Sequence, residues 1–449
     1  MSAAVVEQES RDQWPLRVRG SKPSGQAAVR TIRIGLLGLG QVGQAVARLA
    51  GDRGAAADAG VRFRIEQALV RDVGKARRCP KPPRLTSNSS AFLRGDYDVV
   101  VEVLDAIEPA RTLVARLLGR GTAVVTANKA LVAAHGTHLG AIAAARGCMF
   151  RYEATALAAV PFLGTLADRP LVASVNRVLA VVNGTTNFVL SSLSEGASFD
   201  AALARARELG YAEPDASRDL DGHDAADKLV LLTALFGWGR LPREPLDVTG
   251  VRSVTPDDLA AARADGGTIK PIVFAERDAT GVGAFVGPAF VPATEPLASL
   301  SGALNGIRLD GRYVSSLFFS GPGAGPDVTA ATLLDDAVQA VRGRPHASDP
   351  SHPPHPSHPP PVFPSSPSTG WFIRLTFPGV LPAEAAATAA AAAAGLRAAR
   401  VSSHTSHNSR WLFVGLHSRR EVDAAIERLA QTHRVTAVAF RQLPQQEIP

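Results

Sequence analysis

Cysteine is nearly absent from this chain of 449 residues, where Cys79 and Cys148 are the whole complement. Two thiols cannot form a disulfide framework or a cysteine zinc site. Neither setting, CPKPP or GCMF, is that of a nucleophile, so both read as structural and the chain fits a reducing compartment; a cytoplasmic location is expected. No apolar run reaches the ~18 residues of a membrane-spanning helix. Residues 1–30 carry Glu7, Glu9 and Asp12 without an apolar core, so they read as a disordered tail rather than a secretory signal. Aromatics are only 6% of residues and interleave with no basic run, so the net charge of +7 does not point to nucleic acid.

Lysine is the second scarcity, with six against forty-two arginines. The ratio resembles a coding bias, and it makes a lysine inside a motif informative. Lys228 closes GYAEPDASRDLDGHDAADK, where seven acids fall within 21 residues counted from Glu208. One reading is a solvated acidic loop followed by an i,i+4 ion pair with Asp224 on a helix. The other is a site that needs an amine able to give up its proton, which arginine cannot do. A calcium loop is excluded, because DLDGHD lacks the ligand spacing and terminal glutamate of an EF-hand.

At 46% hydrophobic the chain can bury one or two substantial cores, so two or three domains are expected. An apolar run over Ile32–Leu37 enters a glycine cluster at Gly38, Gly40 and Gly43, and a helical pattern follows. Between strand and helix, G-x-G-x-x-G is the dinucleotide-binding fingerprint, with pyrophosphate expected against Gln41 and Val42 at the helix start. The next strand-like run, FRIEQALV, ends in Arg71-Asp72 with Lys75 beyond. A cation at that point pairs with a 2′-phosphate and leans the reading to NADP, with NAD as the alternative. YDVVVEVLDA and TAVVTANKALVA repeat the strand–helix alternation, so a Rossmann-type doubly wound parallel α/β sheet is expected.

Five segments are expected. They are the tail at 1–30, a nucleotide-binding domain at 31–160 completed by 321–342, and an α+β substrate and dimerisation domain at 161–320. A Pro/Ser/His-rich linker at 343–369 then leads to a small α+β module at 370–445 of order β-α-β-β-α-β. His352, His355 and His358 in the linker read as solvated rather than metal-binding.

GLGQVG, VVVEV with IEPA, TANKALVA, YEAT, VNGTTNF, GYAEPDAS-x-DLDGHDAADKL and GPGAG stand in order across about residues 31–342. Together they resemble homoserine dehydrogenase, and the last segment resembles the ferredoxin-like ACT module often appended to that family. The resemblance implies NAD(P)-dependent reduction of L-aspartate 4-semialdehyde to L-homoserine, by a homodimer or higher homo-oligomer. It implies Lys228 as proton donor, Asp224 as the group orienting substrate and lysine, and Lys129 beside nicotinamide and substrate. Glu213, Asp219 and Asp224 would bind substrate, with Glu213 on its amino group. Thr126, Lys129 and Gly321 would join the cofactor site. Glu153, Ala156, Ala158 and Val160 would hold a monovalent cation, usually sodium. Asp105-Ala106 replaces paired glycines of the family, Leu157 and Ala159 replace further glycines, and RLTFPGVL lacks the polar turn of the ACT module. A regulatory homologue without turnover is the competing reading, whereas a thioester-forming semialdehyde dehydrogenase lacks its cysteine.

Overall fold

The computed structural model describes residues 29–79, 82–167, 169, 171–239, 241–343 and 366–443. Nearly all of the expected tail and most of the expected linker, with its three histidines, lie outside the described residues.

Six parallel strands form the first sheet: β1 (Thr31–Leu37), β2 (Arg62–Leu69), β3 (Arg84–Thr86), β4 (Val99–Glu102), β5 (Ala123–Thr126) and β6 (Phe150–Arg151). Their spatial order is β3-β2-β1-β4-β5-β6. The runs VVVE and AVVT are buried throughout, as parallel strands covered on both faces require. One face packs Ile32, Ile34 and Leu36 against Val46 of the Gln41–Ala50 helix and Leu333 and Ala337 of the Pro326–Arg342 helix. The other packs Val100 and Val124 against the Ile107–Leu118 and Lys129–Ala145 helices. The sheet is therefore doubly wound, and its order reverses between β1 and β4, which opens a ligand crevice at their carboxyl ends. Edge strand β3 was not legible in the sequence, because three residues are too few to show a period.

The second sheet takes β7 (Val175–Val181), β8 (Asp247–Val248), β9 (Gly267–Arg277), β10 (Val282–Pro292), β11 (Leu304–Gly311) and β12 (Leu317–Pro322). It continues through β13 (Thr369–Thr376), β14 (Ala398–Ser406), β15 (Ser409–His417) and β16 (Thr436–Gln442). The order is β12-β11-β7-β9-β10-β16-β13-β15-β14, with β8 pairing β10. The last four strands, with helices Glu384–Ala393 and Arg419–His433, run β-α-β-β-α-β.

The module at the C-terminal side is thus joined to the preceding strands edge to edge. β16 pairs in parallel with β10, Ala289 opposite Arg441 and Phe290 opposite Gln442. Behind the join, Phe290, Phe372, Phe413 and Phe440 share one cluster with Trp411. Arg441 lies between the Phe285 and Trp371 rings, 4.5 and 4.6 Å from their centroids, and pairs with Asp247. Arg374 pairs with the fully buried Asp258, which also accepts Trp411 Nε1 at 2.8 Å. Arg419 donates to Thr249 Oγ1 at 3.0 Å.

Candidate active site

Gly222, at φ +84°, turns the acidic run into the His223–Leu235 helix. Ala225, Ala226 and Leu229 bury one face of that helix in the core shared with β7 and β9, and Asp224 and Lys228 are carried beside the end of β7. Lys228 Nζ donates to the Val182 carbonyl just past β7 and lies 3.2 Å from Asp224 Oδ2. Lys129, first residue of its helix, reaches Asp224 Oδ1 at 2.6 Å from the parallel sheet. One carboxylate therefore bridges two ammonium groups brought from different sheets.

Asn183 completes the group. Its Nδ2 donates to Asp219 Oδ1 at 2.7 Å and Asp224 Oδ2 at 3.1 Å, while its Oδ1 caps the Gly184–Ser194 helix at Thr186 N. VNGTTNF points to Asn183 only through its place, an asparagine that opens a helix after an apolar strand.

Burial pushes the Lys228 amine below its ordinary value, Lys129 adds to that, and Asp224 opposes it. Burial also resists ionisation of Asp224, but Lys228 and Lys129 outweigh it and hold the carboxylate well below the usual range. Asp219 moves the other way: burial raises it, and the nearby charges of Asp224 and Glu213 add to the rise. Glu213 is exposed at the rim of the group. The arrangement offers a desolvated amine, held by an ionised partner, beside two further acids.

At the glycine turn, Gly38 has φ +100°, and a Cβ there would meet the Val103 carbonyl at 2.8 Å. A Cβ on Gly43 would lie 2.4 Å from the Gly38 carbonyl, so the third glycine is required for helix–strand contact. A Cβ on Gly40 would meet nothing within 4 Å. Gly40 therefore borders the open side, and the Gln41–Ala50 helix starts there without a side-chain cap. These features fit a pyrophosphate at the helix start. Arg71 and Lys75 stand exposed beyond β2, in a turn tied by Asp72 to Gly74 and Arg77. Gly321, by contrast, lies on β12 opposite Asn305.

Thr126 ends β5 directly opposite Glu102, the last residue of β4. Its buried hydroxyl donates to Glu102 and accepts Asn128 N at 2.9 Å. Glu102 was not singled out, although an acid inside VVVEV was the signal. It accepts Leu104 N at 2.7 Å, and burial pushes it up to about 7. Asn128 donates to the Leu104 and Ala106 carbonyls and caps the helix that begins with Lys129. Glu102 and Asn128 thus fix the turn in which Asp105 stands, and that turn has room for it.

In the YEAT loop, Glu153 accepts Leu163 N at 3.0 Å and Gly164 N at 2.5 Å. The Ala158 carbonyl accepts Thr332 Oγ1 and the Val160 carbonyl accepts Phe162 N, both at 3.0 Å. Each of these carbonyls keeps a second lone pair, and oxygen is the donor type that a hard cation takes. Ala158, at φ +46°, is the residue in the left-handed region, rather than Leu157 or Ala159. Among the described residues no cluster of three or more His, Cys, Asp or Glu could hold a metal ion.

Two family models match the chain: the homoserine dehydrogenase NAD-binding domain at residues 38–153 and homoserine dehydrogenase at 161–338. The homoserine dehydrogenase of Mycobacterium leprae is 39% identical over 326 residues, spanning 70% of this chain and 73% of that protein. The chain belongs to the homoserine dehydrogenase family. The Corynebacterium glutamicum enzyme is 36% identical over 331 residues, spanning 72% of this chain and 74% of that protein. A homoserine dehydrogenase structure from Thiobacillus denitrificans superposes with a TM-score of 0.77 at 30% identity, covering 92% of this chain and 99% of that one. A hyperthermophilic archaeal homoserine dehydrogenase in complex with NADPH matches at TM-score 0.58 and 25% identity, covering 71% of this chain and 99% of that one. Family membership removes the thioester-forming alternative. No described helix is long and apolar enough to cross a membrane.

Proposed function

We propose that the chain reduces L-aspartate 4-semialdehyde to L-homoserine with a nicotinamide cofactor, NADP in preference to NAD, and that Lys228 supplies the proton. The observation that carries the reading is the shared Asp224 carboxylate, with Lys129 Nζ at 2.6 Å and Lys228 Nζ at 3.2 Å. The bound cofactor supplies hydride to the aldehyde carbon, and negative charge builds on the aldehyde oxygen. Lys228 stands ready to neutralise that oxygen, because burial weakens its hold on the proton. Asp224 remains ionised beside it and keeps the amine charged until the transfer. Lys129 adds positive charge next to the reacting centre. Glu213 binds the substrate's ammonium group, and Asp219, held by Asn183, lines the same pocket.

Gly38, Gly40, Gln41, Val42, Gly43 and Gly321 would border the cofactor, with Arg71 and Lys75 on a 2′-phosphate. Glu153 and the carbonyls of Ala156, Ala158 and Val160 would hold a monovalent cation that steadies the loop. The division into nucleotide-binding, substrate and ACT-like segments, and assembly as a homodimer, belong to the same reading.

Oxidation of L-homoserine, followed by cofactor absorbance with NADP and NAD in turn, tests it. Turnover with NADP exceeding that with NAD is expected. A folded protein that reduces neither cofactor favours the regulatory alternative.

A further inference from the structure

Asn305 lies on β11 opposite Gly321 of β12, and its neighbour Gly306 pairs with Val181 of β7. Its side chain is 0% exposed, yet neither its amide nitrogen nor its oxygen finds a hydrogen-bond partner among the described residues. Protein interiors pair nearly all such groups, because an unpaired buried amide forfeits its hydration without return.

The carboxamide is pressed against Gly323, the middle glycine of GPGAG, where a Cβ would lie 2.0 Å from Asn305 Cγ and Nδ2. That loop opens the Pro326–Arg342 helix, whose N-cap Gly325 has no side-chain cap. On the other flank, Asn187 of the VNGTTNF motif donates to the Gly302 and Leu304 carbonyls at 3.0 Å each, which fixes the entry to β11. One strand away, the Val182 carbonyl holds Lys228. Asn305 thus stands where the proton-donor side of the site meets the glycine loop.

We propose that Asn305 is a positioning residue of the cofactor site: its carboxamide takes its hydrogen-bond partners from the GPGAG backbone when a nicotinamide cofactor draws that loop onto the strand ends. The inference rests on the dehydrogenase reading above. A carboxamide carries donor and acceptor in one plane, which matches the N–H and C=O of a peptide loop. Pairing that forms only with the cofactor adds to cofactor affinity rather than to the stability of the free protein.

The full chain is titrated with NADPH and with NADH by nicotinamide fluorescence, alongside thermal unfolding without cofactor. Asn305→Leu keeps the branched outline and the heavy-atom count, at a larger volume, and removes both polar groups. Its unfolding midpoint is expected at or above that of the wild type, with the dissociation constant for the preferred cofactor raised on the order of 10-fold. Where Asn305→Leu unfolds early or not cooperatively, a cycle of Asn305→Ala and Gly323→Ala decides. Gly323→Ala alone weakens cofactor binding, whereas in the Asn305→Ala background the added methyl has room and costs little further. Wild-type affinity in a folded Asn305→Leu protein, or strict additivity in the cycle, overturns the proposal. Wild-type protein that binds neither cofactor overturns the dehydrogenase reading instead.

Discussion

The centre around Asp224 and the seam around β16 are built from the same ingredients, a carboxylate largely shielded from solvent and a cation, with opposite results. At the centre the cations are lysines, and one of them is desolvated beyond what its partner repays. At the seam they are arginines: Arg374 and Trp411 converge on Asp258, and Arg441 lies between two rings while pairing with Asp247. A guanidinium fork fixes direction and does not surrender its proton, so burial makes the seam rigid. An ammonium is a point charge whose proton becomes mobile as its surroundings dry out, so burial makes the centre reactive. A chain with forty-two arginines thus places two of its six lysines on the one carboxylate where proton transfer is proposed.

Exchanging the two kinds of cation breaks the comparison most directly. Lys228→Arg keeps the charge beside Asp224 and is expected to lower turnover by roughly 10²–10⁴ without lowering the unfolding midpoint appreciably. Steady-state kinetics with a parallel thermal melt check this, and near-normal turnover would remove Lys228 from its role. At the seam, Arg374→Leu leaves Asp258 buried without its cation. A loss of about 3 kcal/mol in stability is expected, read by denaturant unfolding, with turnover per folded molecule unchanged.

Arg441→Lys preserves charge but loses the fork and its ring contacts. Its cost is expected near 1–2 kcal/mol, again without a kinetic effect. The finest test is of sign. Reduction needs Lys228 charged, so its rate is level at low pH and falls as pH rises through a value below the ordinary 10.5. Asp224 pulls that value upward, so Asp224→Asn moves the fall to lower pH in a pH–rate profile. A shift to higher pH would contradict the electrostatic account.

The two regions also differ in how far the sequence reveals them. The glycine turn, the acidic run and the alternation that carries β1, β2, β4 and β5 are local patterns, carried by neighbouring residues, and could be read directly. Lys129, Asp224 and Lys228 were named from motifs, and the structure brings them together from both sheets. The seam could not be read in that way. Its β10–β16 register joins residues about 150 positions apart, and each strand alone reads as an ordinary apolar run. Asn305 and Glu102 were overlooked for a related reason: one polar residue within an apolar strand matters only once its neighbours in space are known. Thr126 lies in a motif that could be read, while the bond of its hydroxyl to Glu102 could not.

The position of β16 has a consequence for the order of assembly. The fourth strand of the β-α-β-β-α-β module is inserted between β10 and β13, so the middle of the ten-stranded sheet is completed by the latest of its ten strands to be synthesised. Until Thr436–Gln442 leaves the ribosome, β13 presents an unpaired edge and β10 one that only the short β8 covers, the kind of edge through which nascent chains associate wrongly. The seam is in that sense a keystone: the strands on either side can form early, but the arch closes only when the last stone is set.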